Sequence, residues 1–226
     1  MNVIDGLRPR MVKFRSSTSV ALVLTLLELA AFATVAAQTS VIEPSMSDLI
    51  DALRVPDSMF VQATSRPTAR EKRRAALIEA FRRSGNQGIR ALARALSDPD
   101  VALRRNAALA LISIPGRYER NVEPKIDTRL AMPALIEALA DSDGNVRAWA
   151  AHALAEMGVV AAPAIPALIR LLGDPYEGAR NDACIALYEI GPAAVIALPA
   201  LRAALQDSSA DVRKFAQRAI DRIESH

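Results

Sequence analysis

The chain has one cysteine, Cys184, in 226 residues. No intrachain disulfide and no cysteine-based metal cluster can form, so stability must come from packing alone. There are two histidines, His152 and the terminal His226. No pair stands at metal-ligand spacing, which leaves almost no material for a histidine metal site or a histidine-centred catalytic site. Glycine-rich phosphate loops and the serine nucleophile elbow are missing too. Aromatics make up only 4% of the chain although apolar residues reach 51%. Alanine and leucine supply most of that apolar fraction. Such a mixture disfavours a β-sandwich, which wants β-branched and aromatic side chains, and favours helices packed through small residues. No metal, no cofactor and no catalytic residue is expected.

What is present begins with a leader. Arg8, Arg10, Lys13 and Arg15 precede an apolar run from Val20 to Ala37, broken only by Glu28. The run ends "FATVAAQTS", with Val35 and Ala37 at the small-residue positions before a cut at Gln38. A basic segment, an apolar segment and a small-residue site together read as a secretory signal peptide over 1–37. The alternative is an uncleaved anchor through residues 20–37, since ~18 apolar residues is near the spanning minimum; Glu28 near its centre weighs against that. Translation from either Met1 or Met11 yields a leader of this type. The expected location is therefore the periplasm or the exterior, with a membrane contact only if the leader stays uncleaved.

Charge is unevenly distributed. Beyond the leader the balance is 24 basic against 23 acidic residues. From Arg66 to Arg94, nine Lys or Arg face only Glu71 and Glu79, whereas from Ala95 onward 14 basic residues meet 17 acidic ones. The basic stretch, with Arg70, Lys72, Arg73, Arg74, Arg82 and Arg83 at its centre, reads first as a solvated capping helix. Its functional reading is electrostatic steering of an acidic partner protein or attraction to an anionic surface. Nucleic acid ranks last, because an exported protein seldom meets it.

The strongest signal is an internal repeat. "AMPALIEALADSDGNVRAWAAHALAEMGV" from Ala131, "AIPALIRLLGDPYEGARNDACIALYEIGP" from Ala164 and "ALPALRAALQDSSADVRKFAQRAIDRIES" from Ala197 follow at an interval of 33. "GIRALARALSDPDVALRRNAALALISIPG" from Gly88 is a fourth copy, displaced by 43. Repeats therefore span 88–116, 131–159, 164–192 and 197–225, with an insertion at 117–130 and an irregular helical cap at 38–87, whose alternative reading is a degenerate first repeat with Ser47–Arg54 and Glu71–Gly85 as its helices. A fixed period of this size is the signature of a solenoid. Each copy reads as two helices. Pro133, Pro166 and Pro199 open the first helix, where a missing N–H costs nothing. The second helix places Val146, Ala150, Ala153, Leu154 and Met157 on one face, and Gly158 and Gly191 stop it where a left-handed residue is useful.

Asp98, Asp141, Asp174 and Asp207 align, as do Arg104, Arg147, Arg180 and Arg213. One Asp/Arg pair could be catalytic, but four at fixed spacing cannot all be one active site. The expected arrangement is a ladder: each Asp accepts N–H groups at a helix start and meets the Arg across its own turn. Such a ladder sets register between repeats more than it adds net energy.

The segment "PALIEALADSDGNVRAWAAHALAEMG" resembles a HEAT repeat, particularly the short kind found in phycobilisome-lyase-like proteins. The resemblance covers residues 88–226 and implies an all-α, right-handed solenoid with second helices lining the concave face. On that face the outward positions are Trp149, His152, Asn181, Tyr188, Lys214 and Asp221. Trp149, the single Trp, aligns with Asn106, Asp182 and Phe215, so an aromatic there reads either as a contact anchor or as packing under a neighbour. The insertion, with Tyr118, Arg120 and Lys125, is a second candidate surface. His152 reads as a partly exposed side chain and Cys184 as a small packing residue. The resemblance points to a monomeric, non-enzymatic scaffold that binds another protein. Two alternatives stay open: a lyase- or chaperone-type protein acting on a modified or chromophore-bearing protein, and a cytosolic nucleic-acid binder should the leader be misread.

Overall fold

The computed structural model describes residues 44–54, 69–114 and 126–225. The leader, Arg66, the loop residues Tyr118, Arg120 and Lys125, and His226 lie outside these, as do the side chains of Arg70 and Arg73. Every regular element among the described residues is helical. Ten α-helices follow in order: α1 (Met46–Ala52), α2 (Ala69–Arg83), α3 (Gly85–Ala95), α4 (Val101–Ser113), α5 (Met132–Ala138), α6 (Gly144–Met157), α7 (Ile165–Leu171), α8 (Glu177–Ile190), α9 (Leu198–Ala204) and α10 (Ala210–Glu224). The pairs α3/α4, α5/α6, α7/α8 and α9/α10 are the four repeats. Short 3-10 turns at Thr128–Ala131, Gly158–Ala164 and Gly191–Ala197 lead into α5, α7 and α9.

Local sequence explains each boundary. Pro133, Pro166 and Pro199 sit in the first turn of their helices. Asp100, Asp143 and Ser209 cap α4, α6 and α10 by accepting backbone N–H groups with their side chains, which satisfies donors the helix itself leaves open. Gly158 and Gly191 end α6 and α8 with φ of 59° and 72°, as the helix-stop reading required. Their ψ values are −138° and −141°, however, outside the left-handed helical well and in territory that is essentially glycine's own. From here the chain enters a 3-10 turn directly.

One core runs the length of the stack. Leu92, Leu135, Leu168 and Leu201 occupy the same register of the four first helices and are completely buried. Val146, Ala179 and Val212 do the same on the second helices. Burying each leucine contributes ~1.5–3 kcal/mol, so the repeated register is the energetic backbone of the solenoid.

The second helices α4, α6, α8 and α10 pack directly on one another in sequence, while first helices beyond the α3/α5 contact barely meet. Buried alanines allow this: Ala148, Ala151 and Ala155 of α6 are at most 3% exposed. The second helices thus form the closely packed side of the stack and the first helices the looser one. Upstream, α1 packs against α2 and α3, with Leu49 and Leu53 buried in the common core.

Candidate functional site

The repeated Asp and Arg are the most ordered polar feature of the molecule, and the structure corrects how they pair. Arg104, Arg147 and Arg180 each reach the aspartate of the following repeat, not the one across their own turn. Arg104 Nε and Nη2 donate to Asp141 at 2.7 and 3.0 Å. Arg147 donates to Asp174 at 2.7 and 2.7 Å, and Arg180 to Asp207 at 2.7 and 2.9 Å. The remaining Nη1 turns back to its own repeat, donating to the backbone carbonyls of Asp98, Asp141 and Asp174 respectively. The six ladder side chains are only 9–14% exposed. The aspartates accept the N–H two residues on, which belongs to Asp100, Asp143, Tyr176 and Ser209. They therefore brace the turn, and Asp100, Asp143 and Ser209 do the capping of α4, α6 and α10, while Tyr176 before α8 gives no side-chain cap. The physical reason is reach: the planar guanidinium can fork onto a carboxylate one repeat away while its third nitrogen closes the local turn.

The ladder has members that the alignment did not name. Arg54, after α1, donates to Asp98 at 3.3 and 3.1 Å and so supplies the arginine of an upstream unit. Arg105 forks onto Asp143 at 2.9 and 2.6 Å. Arg213, by contrast, stands exposed and donates to the carbonyls of Asp207 and Ser208. Hydrogen bonding to Asp141, Asp174 and Asp207 raises Arg104, Arg147 and Arg180 above the ordinary guanidinium value. The Arg180 fork in turn lowers Asp207. At Asp174 burial opposes ionisation, and the Arg147 fork and the Tyr176 N–H outweigh it, so its carboxyl also lies below the usual range.

The six candidate inner-face residues divide into clusters. Trp149 is half-buried and packed against the core, not projecting from it. Its register faces the preceding unit: Asn106 donates to the Leu53 carbonyl at 2.6 Å, and Asp182 meets His152. The expectation that this register points outward is thus corrected, because neighbouring second helices stand close enough to cover it. His152 lies between Asp182, 3.2 Å from its Nδ1, and Glu156, 4.0 Å from its Nε2. The Asp182 hydrogen bond, aided by Glu156, raises its pKa above 6.5 despite burial. Asn181 is half-buried, with its amide oxygen enclosed and lacking a protein hydrogen-bond partner among the described residues.

Tyr188 lies beneath two guanidinia of α10, Arg218 at 5.8 Å and Arg222 at 5.3 Å from the ring centre. Lys214 and Arg218 flank the Phe215 ring at 5.9 and 5.6 Å. Asp221 accepts from Gln217 at 2.7 Å on the same helix. Sequence spacing did not single out Arg218 and Arg222. Their signal was the register itself, in which Glu156 and Glu189 are followed by Arg222.

Of the basic stretch, Lys72 is exposed and Arg74 is half-buried, with its pKa lowered by burial. Arg82 and Arg83 both pair with Glu79, at 2.6 and 3.1 Å, and hold its carboxyl at about 2. Part of the expected steering charge is therefore spent locally. The described end of the insertion, Ile126 to Arg129, lines a shallow cleft of about 280 Å³ with Glu156, Met157 and Val160. Cys184 is completely buried, and burial pushes its thiol up to about 12.

Comparison with known proteins agrees with this architecture. Residues 132–221 match the family model for HEAT repeats. No curated protein matches the chain. Among solved structures, an engineered protein is similar with a TM-score of 0.56 and 22% identity, over 83% of this chain and 93% of that one. A designed armadillo repeat protein in complex with the peptide (KR)4 gives 0.55 and 20%, over 79% and 82%. The complex of CpcE and CpcF of phycocyanin lyase from Nostoc sp. PCC7120 gives 0.55 and 25%, over 84% and 68%. The fold is an all-α solenoid of the armadillo/HEAT kind.

Proposed function

We propose that this protein is an exported, non-enzymatic scaffold that holds another protein on the inner face of its second helices. The observation that carries the reading is how polar residues are divided. Ladder positions repeat the same residue in every unit and are consumed by internal hydrogen bonds. Inner-face positions change from unit to unit, as His152, Ile185 and Arg218 do. A framework held constant beneath a varied surface is what an extended binding face requires. The described residues offer little reactive chemistry: the one thiol is buried and held protonated, and His152 is engaged by Asp182. Two similar structures are of a repeat protein with a peptide and of a pair of proteins in complex, which suits a binding role here. Export rests on the basic–apolar–small leader, residues 1–37.

The test is capture of a partner by the mature protein from the exported fraction, with amino-terminal sequencing of that protein to locate the cut. Tyr188→Ala and Lys214→Ala combined should raise the dissociation rate of the captured partner. Binding that survives both in a folded protein would move the site off the inner face, toward the insertion at 117–130.

A further inference from the structure

The second helix of the last repeat carries cations that no carboxylate answers among the described residues. Lys214, Arg218 and Arg222 are exposed and stand one turn apart on α10, and none makes an ion pair among the described residues. In earlier repeats the register of Arg222 holds Glu156 and Glu189, and that of Arg218 holds His152 and Ile185. The inner face therefore gains three cations at this end, beside Asp221, whose carboxylate accepts from Gln217 on the same helix. Both guanidinia reach back over Tyr188 of the preceding repeat, which places them on the side of α10 that faces α8.

Stacking on an aromatic ring uses a guanidinium's face and leaves its N–H edge free. An edge held in place in this manner is shaped for a carboxylate, which it grips through two parallel hydrogen bonds. Spacing narrows the ligand further. Residues four apart on a helix have Cβ atoms ~5–6 Å apart, close to the ~6.6 Å between alternate residues of an extended strand. We infer that α8 and α10 form a binding site for an extended acidic segment of a partner protein, with Asp or Glu at alternate positions gripped by Arg218 and Arg222 and Tyr188 as their platform. This rests on the scaffold reading and names the chemistry of its partner.

The experiment measures anisotropy of a short fluorescein-labelled peptide alternating Glu and Ser at low salt. Comparison probes are the same peptide with its Glu residues contiguous, a Lys/Ser peptide, a single-stranded oligonucleotide, and phosphatidylserine vesicles. The alternating acidic peptide should bind tightest. Arg218→Glu with Arg222→Glu should weaken it more than about tenfold, and Tyr188→Leu several-fold by freeing the guanidinia. The equally charged control on the first helices, Arg170→Glu with Arg202→Glu, should change it less than about threefold. Equal losses in control and site variants would overturn the proposal in favour of bulk charge. So would tighter, Arg218- and Arg222-dependent binding of oligonucleotide or vesicles, or indifference to Glu spacing. Partner capture by the wild type that survives the double reversal removes this site and leaves the scaffold; no capture by the wild type removes the scaffold, whatever the peptide does.

Discussion

Removing Arg147 should destabilise the solenoid by an amount set by what it leaves behind. Its Nε and Nη2 each lie 2.7 Å from Asp174, and Nη1 lies 2.8 and 3.2 Å from the carbonyls of Asp141 and Ser142. Arg147→Ala deletes all four bonds and strands Asp174, 9% exposed, with the Tyr176 N–H for company. Breaking one side of a largely buried pair costs about 2–4 kcal/mol, or on the order of 4–16 °C in Tm for a chain of this size. Asp174→Asn should cost less, because its amide oxygen still accepts from Tyr176. Arg213→Ala supplies the internal scale. Arg213 keeps two carbonyl bonds, at 2.6 and 2.9 Å, but is exposed and pairs with no aspartate, so its loss should cost under about 1 kcal/mol. Circular dichroism melts and urea titrations would measure all three, and a double-mutant cycle on Arg147 and Asp174 should give a coupling of about 1–3 kcal/mol. The Asp174 carboxyl is depressed, so its share of stability is present above 3.8 and is lost as pH falls through its folded value. Additive single mutants, or Arg213→Ala costing as much as Arg147→Ala, would refute the ladder as a source of stability. An unchanged Tm coupled to loss of a defined activity would make the pair chemistry instead of architecture.

His152 has a raised pKa, so its contribution is full below 6.5 and is lost as pH rises through the raised value; His152→Gln should flatten that part of the stability–pH curve. Cys184, buried with its thiol near 12, should resist a thiol reagent at neutral pH in the folded protein and react on addition of urea, a rate read directly by absorbance. Gly191→Ala forces φ of 72° on a residue with a Cβ and should cost about 1–3 kcal/mol, against little for the exposed Gly173→Ala, in parallel thermal melts.

The repeat was legible because core and turn positions are chemically degenerate. Leu135, Leu168 and Leu201 must each fill the same space, so identity recurs and periodicity exposes the fold. Pairing across the ladder was less legible for a geometric reason. An Asp lies six residues before the Arg of its own repeat and 27 after the Arg of the preceding one. Both separations recur wherever the period is 33. Sequence cannot choose between them, and only the reach of the arginine does. Trp149 misled for a related reason. Its register takes Asn, Trp, Asp and Phe, which looks like an exposed position, yet neighbouring helices pack close enough to half-bury it. Tolerance there reflects a different neighbour in each repeat, not the absence of one.

That distinction also separates framework from function. In a solenoid each unit meets only its neighbours, so a position answering to the framework meets the same surroundings in every repeat and keeps its residue. Arg104, Arg147 and Arg180 obey this. A position answering to a partner meets a different part of that partner in each repeat and changes. The series Glu156, Glu189, Arg222 obeys that rule, and reverses in sign besides. Chance variation on a solvated face would also produce change, but it would not place a ring beneath the cations. Tyr188 stands where α6 has Ala155, and the two guanidinia that close over it come from the next repeat. Changing the ring and the cations together, across a repeat boundary, gives the inner face a locally built feature beside the framework.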